Sequence, residues 1–401
     1  MKKGWEKKKL GELCSFVRGP FGGSLKKNIF KEDGFAVYEQ QHAIYNQFDS
    51  IRYFIDENKF NEMKRFELNS GDLIMSCSGT MGKIAIVPEN IKKGIINQAL
   101  LKLTPSPKKI STVFLKLWMQ SESFQDSLKE YSGGAAIQNV ASVAILKQIE
   151  IPLPPLPEQQ RIVAILDEAF TAIDKAKNNT VQNLKNAKEL FESELQRVFG
   201  SANWEEKKLK EIGNAQTGTT PKTAEKDNYG NFIPFIKPAD VDFINDGSIR
   251  YNNEGLTAKG LKAARLMPKG SILMVCIGAT IGKVGFVDRD VTSNQQINSL
   301  TVNKDYFPKF IYYALSTRTF YDSVIKSSAQ ATLPIINKGK WEALTVRFPK
   351  SLKEQQAIVQ KLDALSAETK KLEAIYQQKI KELEKLKKSV LQKAFIGELK
   401  N

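Results

Sequence analysis

Pro154-Pro155-Leu156-Pro157-Glu158-Gln159-Gln160 closes a proline-rich run begun at Ile151, and from Glu158 to Phe199 no further proline or glycine occurs. Glu354-Gln355-Gln356 opens a second such stretch, which runs to Phe395. Ile162, Val163, Leu166 and Asp167 follow the first motif as Ile358, Val359, Leu362 and Asp363 follow the second. Apolar residues recur at helical spacing in both: Ile162, Leu166, Leu184 and Phe191 in one, Leu362, Leu372, Leu383 and Val390 in the other. This predicts two helices of roughly 60 Å each, at 1.5 Å per residue. A stripe that narrow with charged flanks needs a partner along its length, and the nearest is the other copy.

Working outward, more of the chain repeats. Trp5-Glu6-Lys7-Lys8-Lys9-Leu10 returns as Trp204-Glu205-Glu206-Lys207-Lys208-Leu209. Gly71-Asp72-Leu73-Ile74 and Gly79-Thr80-Met81-Gly82-Lys83 return as Gly270-Ser271-Ile272-Leu273 and Gly278-Ala279-Thr280-Ile281-Gly282-Lys283. Asn97-Gln98 returns as Asn294-Gln295, and Leu195-Gln196 as Leu391-Gln392. Constant order makes the chain a tandem duplication.

Each copy begins with short apolar runs punctuated by Gly and Pro. Leu73 to Ser76, Lys83 to Val87, Leu100 to Leu103, Ile272 to Val275 and Lys283 to Val287 read as strands, and Val113 to Gln120 and Phe310 to Ser316 as helices. The fold class is therefore α+β. The proline-rich run should end the first domain, because proline neither continues a ladder nor sits inside a helix. The expected boundaries are 1–155 for the first domain, 156–200 for its helix, 201–350 for the second domain and 351–401 for the C-terminal helix. Equivalent halves are most simply satisfied when the helices pair as an antiparallel coiled coil. The domains then lie at its opposite ends, related by a pseudo-two-fold axis. Duplex DNA has local two-fold symmetry, so such a body can present two reading heads to separated half-sites.

The composition agrees. With 60 Lys plus Arg against 44 Asp plus Glu the formal charge is +16, which points to a polyanionic partner, most simply nucleic acid. Cys14, Cys77 and Cys276 are far apart and form no CxxC pair, which suits a reducing cytoplasm. The charged N-terminus is unlike a signal peptide, and no run of about 18 apolar residues predicts a membrane span. A soluble, cytoplasmic protein without membrane contact is expected.

The sequence carries no recognisable catalytic signature. The sole Pro-Pro, Pro154-Pro155, is followed by Leu156 and lacks the aromatic that stacks on a flipped base. The Gly-Lys turns have the wrong spacing for a phosphate-binding loop, and the lone histidine, His42, precludes a histidine metal cluster. No catalytic or metal residue is assigned. The competing expectations are a nuclease or modification enzyme with a carboxylate site, and a nonspecific DNA-organising protein.

The order and spacing of these segments resemble, over essentially the whole chain, the specificity subunit of type I restriction–modification enzymes. The resemblance rests on the exit into Glu158-Gln159-Gln160, its counterpart Glu354-Gln355-Gln356, and the Gly82-Lys83 and Gly282-Lys283 turns. It implies two target-recognition domains, each reading one half of a bipartite double-stranded DNA site. It further implies a coiled coil docking two adenine-N6 methyltransferase subunits, with ATP-driven restriction subunits as further partners. S-adenosylmethionine, and ATP with Mg²⁺, would then be bound by those partners and no cofactor by this chain. The second copy departs from the pattern, having Phe348-Pro349-Lys350-Ser351-Leu352-Lys353 in place of the proline-rich exit.

Between similar domains, shared polar residues should handle backbone and divergent ones should set specificity. Thr80, Lys83, Thr280 and Lys283 are shared, in Gly-flanked turns that admit phosphate or simply permit a hairpin. Asn97, Gln98, Asn294 and Gln295 carry amides able to pair with adenine or to cap a turn. The divergent candidates are Gln40, Gln41 and His42 against Lys237 and Asp240, Lys26 against Thr219 and Lys222, and Gln138 and Asn139 against Gln330 and Thr332. The bland alternative for His42 is a satisfied core or surface histidine.

Overall fold

The computed structural model describes residues 4–131, 142–200, 204–242, 248–329 and 333–399. Two compact units divide the chain: Met1–Asn179 with Lys379–Asn401, and Thr180–Gln378. Each long helix contributes to both.

In the first unit a four-stranded antiparallel sheet runs in the order Cys14–Arg18, Leu100–Pro105, Leu73–Ser76, Ile84–Ile86. A three-stranded sheet has Phe35–Tyr38 at its centre, antiparallel to Phe54–Ile55 and parallel to Gly94–Ile96. The second unit repeats both. Its four-stranded order is Gly213–Thr217, Ile297–Val302, Ile272–Val275, Val284–Phe286, and Tyr229–Ile236 lies between Gly255–Leu256 and a parallel Thr292–Ser293.

The uninterrupted apolar run Leu73-Ile74-Met75-Ser76 is explained by burial on both faces. Strand side chains alternate, so Leu73 and Met75 join the larger core with Phe114 and Trp118, and Ile74 enters a second core with Tyr38 and Ile96. Ile272 and Met274 against Leu273 and Val275 divide in the same way. The expected helices appear as Thr112–Met119 and Pro308–Leu315.

Contrary to expectation, a proline of the exit run does sit in a ladder. The strand Glu150–Leu153 passes through Pro152, which pairs with Lys7. That strand has a single neighbour, so alternate N–H groups face away from the ladder and proline's missing donor removes no bond. The second copy closes with Thr345–Phe348 on Glu205–Lys208.

The long helices are Leu156–Gly200 and Leu352–Ile396, of 45 residues each. The first starts before Glu158 because Pro157 falls in the first turn, where its missing N–H had no helical partner to lose. Buried positions on this helix are Gln159, Ile162, Leu166, Ile173, Thr180, Ala187 and Leu195, one stripe at helical spacing. Within the first unit the two helices run antiparallel: Lys387 pairs with Asp174 at 2.7 Å and Lys177 with Glu384 at 2.6 Å.

Gln159 explains much of the Glu-Gln-Gln motif. It is fully buried, its Oε1 accepts from Ser111 N–H at 2.8 Å, and its Nε2 donates to Pro154 O at 2.9 Å. Gln355 repeats the latch, accepting from Phe307 N–H at 2.8 Å and donating to Pro349 O at 2.9 Å. Ser111 and Phe307 are the N-caps of the equivalent domain helices. Each amide therefore fastens the start of a long helix to an otherwise unsatisfied helix terminus.

Candidate nucleic-acid interface

The parallel strands Phe35–Tyr38 and Gly94–Ile96 end side by side, and the candidate segments leave from that edge. Asn97 N–H donates to Tyr38 O at 2.9 Å, and Asn97 Oδ1 accepts from Ala99 N–H at 3.0 Å, which closes a tight turn. Gly19 crosses this turn with its N–H on Leu100 O at 2.9 Å, so close that a Cβ would lie 1.8 Å from Asn97 O. Cys77 N–H, bonded to Ala99 O at 2.9 Å, brings up the Gly79–Lys83 turn from the third side. The Ser76 hydroxyl shapes that turn by accepting from Lys83 N–H at 3.0 Å and donating to Thr80 O at 2.5 Å.

The second unit builds the same edge. Asn294 N–H reaches Ile236 O at 3.1 Å, and Asn294 Oδ1 accepts from Gln296 N–H at 3.1 Å. Gly218 N–H donates to Ile297 O at 2.9 Å, and a Cβ there would lie 2.1 Å from Asn294 O. Cys276 N–H donates to Gln296 O at 2.8 Å. Gly278 N–H on Pro334 O at 3.0 Å brings in the segment that follows Ala329.

The expected residues differ in exposure. In the first unit Lys26, Thr80, Lys83 and Gln98 are exposed and Gln41 is half-buried. Gln40 is also half-buried, and its shielded Oε1 has no hydrogen-bond partner. In the second unit Lys222 and Gln295 are exposed and Thr219 and Thr280 half-buried. The Thr220 hydroxyl binds Gln295 Oε1, and Lys222 pairs with Glu225 at 3.5 Å. Gln138, Asn139, Gln330 and Thr332 lie outside the described residues.

Burial overturns the assignments of His42 and Asp240, while Lys237, Lys283, Asn97 and Asn294 each have a partner within the chain. His42 is 1% exposed; its Nδ1 accepts from Glu39 N–H at 2.9 Å and its Nε2 donates to Ser50 O at 3.0 Å. With both nitrogens engaged and the ring edge-on to Tyr38, it is a core residue and no base reader. Asp240 is buried and caps its own turn, accepting from Lys237 N–H at 2.8 Å and Asn253 Nδ2 at 2.6 Å. The Lys237 ammonium is held by Glu254. Lys283 Nζ donates to Val241 O at 3.3 Å, and the Asn97 and Asn294 carbonyl oxygens serve their turns. A polar residue in a loop thus served the loop's own backbone donors first.

Along the helices, Ile162 and Leu166 are buried in the first unit's core with Leu391 and Phe395, so they present nothing to a separate subunit. Leu362 is likewise buried with Leu195 in the second, where Phe191 packs on Tyr313. Val390 is partly buried on the first core, Leu184 and Leu383 are half-buried, and Leu372 is exposed.

Sequence reasoning missed Gly19 and Gly218. Their signal was a glycine following the strand that ends at Arg18 and Thr217 in both copies. Burial pushes the thiols of Cys14 and Cys77 up to about 12 and that of Cys276 to about 11, so none is an activated nucleophile. Among the described residues no group of three His, Cys, Asp or Glu side chains could hold a metal ion.

A fold that shows one backbone edge twice, with exchanged side chains, defines a two-headed recognition protein. The family model for the type I restriction modification DNA specificity domain matches residues 2–183 and again 201–385. The chain belongs to this family and carries its domain twice. A putative type I restriction enzyme MjaX specificity subunit of Methanocaldococcus jannaschii is 23% identical over 99% of this chain and 94% of its own length. The HindI specificity subunit of Haemophilus influenzae is 29% identical over 44% of this chain and 41% of its own. The fold is that of a chain from a type I R-M system, with a TM-score of 0.80, 20% identity and 99% of both chains covered. The HsdS subunit from Thermoanaerobacter tengcongensis gives a TM-score of 0.63 at 20% identity, covering 99% of this chain and 98% of its own.

Proposed function

We propose that this chain is the DNA-reading subunit of a type I restriction–modification complex and performs no chemistry itself. Each recognition domain reads one half of a bipartite duplex site through groups that differ between the two edges, such as Gln41 in the first and Thr219 in the second. The long helices dock two adenine-N6 methyltransferase subunits, with restriction subunits as further partners. S-adenosylmethionine, and ATP with Mg²⁺, belong to those partners. The protein works in the cytoplasm, and no helix among the described residues is long and apolar enough to cross a membrane.

What carries the reading is the recurrence of one backbone edge with different side chains. Positioning bonds are kept while groups that could meet base edges change, the division expected of two heads reading different half-sites. The test is to map N6-methyladenine in DNA from cells expressing the chain with its methyltransferase partner. Methylation confined to a two-part motif with an unspecified gap supports the proposal. Methylation without sequence preference, or set by salt alone, contradicts it.

A further inference from the structure

We propose that the cleft under the Gly82–Lys83 turn of the first unit is a phosphate-binding site. It encloses about 850 Å³ and is lined by Lys83, Lys116, Lys129 and Lys388, with Glu122 and Asp126 as its acids. Lys129 Nζ bonds Asp126 Oδ1 at 2.9 Å, which answers one acid from within the site. Among the lining acids Glu122 is then left to face Lys83, Lys116 and Lys388, and Lys388 also lies near Glu384. Burial holds Lys116 below the ordinary lysine range, and no carboxylate offsets that loss of solvation. An anion delivered to the cleft would restore what burial removed. The wall is already fixed, since Gln125 Nε2 donates to Gly82 O at 3.0 Å and to Met119 O at 2.7 Å. A volume of this size admits a nucleotide.

The second copy replaces the two lysines of the domain helices. Lys116, Gln125 and Lys129 are replaced there by Tyr312, Tyr321 and Ile325 on the equivalent helices. The Tyr321 ring fills the space over Gly282, with Cδ2 2.6 Å from where a Cβ would stand. This lysine set is therefore particular to the first unit. Its ligand chemistry, a phosphate oxygen cluster, has two sources: a free nucleotide, or a phosphodiester of bound duplex. The second source rests on the DNA-reading proposal.

The test uses the full chain and its Lys116→Met and Lys116→Arg variants, checked for native near-UV circular dichroism. Equilibrium dialysis with inorganic phosphate and with ADP at constant ionic strength is run beside a salt titration of a generic duplex. A free-nucleotide site predicts that Lys116→Met weakens ADP and phosphate about tenfold or more and Lys116→Arg restores most of it. The duplex salt slope would then stay unchanged. A backbone site predicts that the slope falls by about one in Lys116→Met, whatever the sequence. Identical dialysis and identical slopes for native chain and Lys116→Met would overturn the cleft proposal. Selection of a bipartite site surviving that result would leave the reading proposal standing, and its loss with the cleft intact would do the reverse.

Discussion

The two reading edges differ in their side chains far more than in their backbone. Asn97 and Asn294 close the same turn, Gly19 and Gly218 cross it, and Cys77 and Cys276 tie in the Gly-Lys hairpin. Around that frame Glu39 with its Arg52 partner becomes Lys237 with its Glu254 partner, Gln40-Gln41 becomes Pro238-Ala239, and Lys116 and Gln125 of the cleft become Tyr312 and Tyr321. The difference teaches that duplication kept what orders the chain and released what faces outward.

The frame can be broken most severely at the glycines. Gly19→Val and Gly218→Val each force a side chain onto an Asn carbonyl, and each should lower unfolding free energy by about 3 kcal/mol or more in urea titrations. Gly23→Ala, with nothing within 4 Å of its added Cβ, should change stability by less than about 0.5 kcal/mol. A mild effect at both crossing points would mean the turn is not fixed by that contact.

Next come the paired latches. Gln159→Leu and Gln355→Leu leave a buried N–H without its acceptor, a penalty of about 1–3 kcal/mol each. Similar losses in both would sharpen the equivalence; a loss in one alone would show that the copies seat their helices differently. A smaller contrast lies within one loop. His42→Ala should destabilise by about 2 kcal/mol through two lost hydrogen bonds and aromatic packing. Gln41→Ala should barely move stability but alter sequence preference in binding competition.

Alkaline titration separates the units with the smallest effect. Folding raises the thiol pKa values of Cys14, Cys77 and Cys276 above the usual 9.0. The folded chain thus keeps protons that the unfolded chain releases, so this stability is full below about pH 9 and is lost as pH rises towards 11–12. The first unit has two such thiols and the second one, because Gly213 stands in place of Cys14. Cys14→Ala should therefore lessen the fall in urea midpoint between pH 8 and pH 10.5. An unchanged fall would argue against that burial.

Much of the fold was legible because its signals are local. Leu73 to Ser76 and Ile272 to Val275 are strands as spaced, and the proline-free stretch after Pro157 is helical as expected. The candidate site was legible only as segments. Which polar groups remain outward depended on contacts across the chain: Ser50 O claims His42, Asn253 claims Asp240 and Glu254 claims Lys237. The Lys116 cleft joins residues from distant stretches, up to Lys388, and no spacing in the sequence announces that meeting.

The most direct measurement exchanges residues 1–155 for the first recognition domain of another family member and maps methyladenine made with the same methyltransferase. The account predicts that one half of the recognised motif changes while the other half and the gap stay as they were. Change in both halves, or in neither, would contradict two independent reading heads.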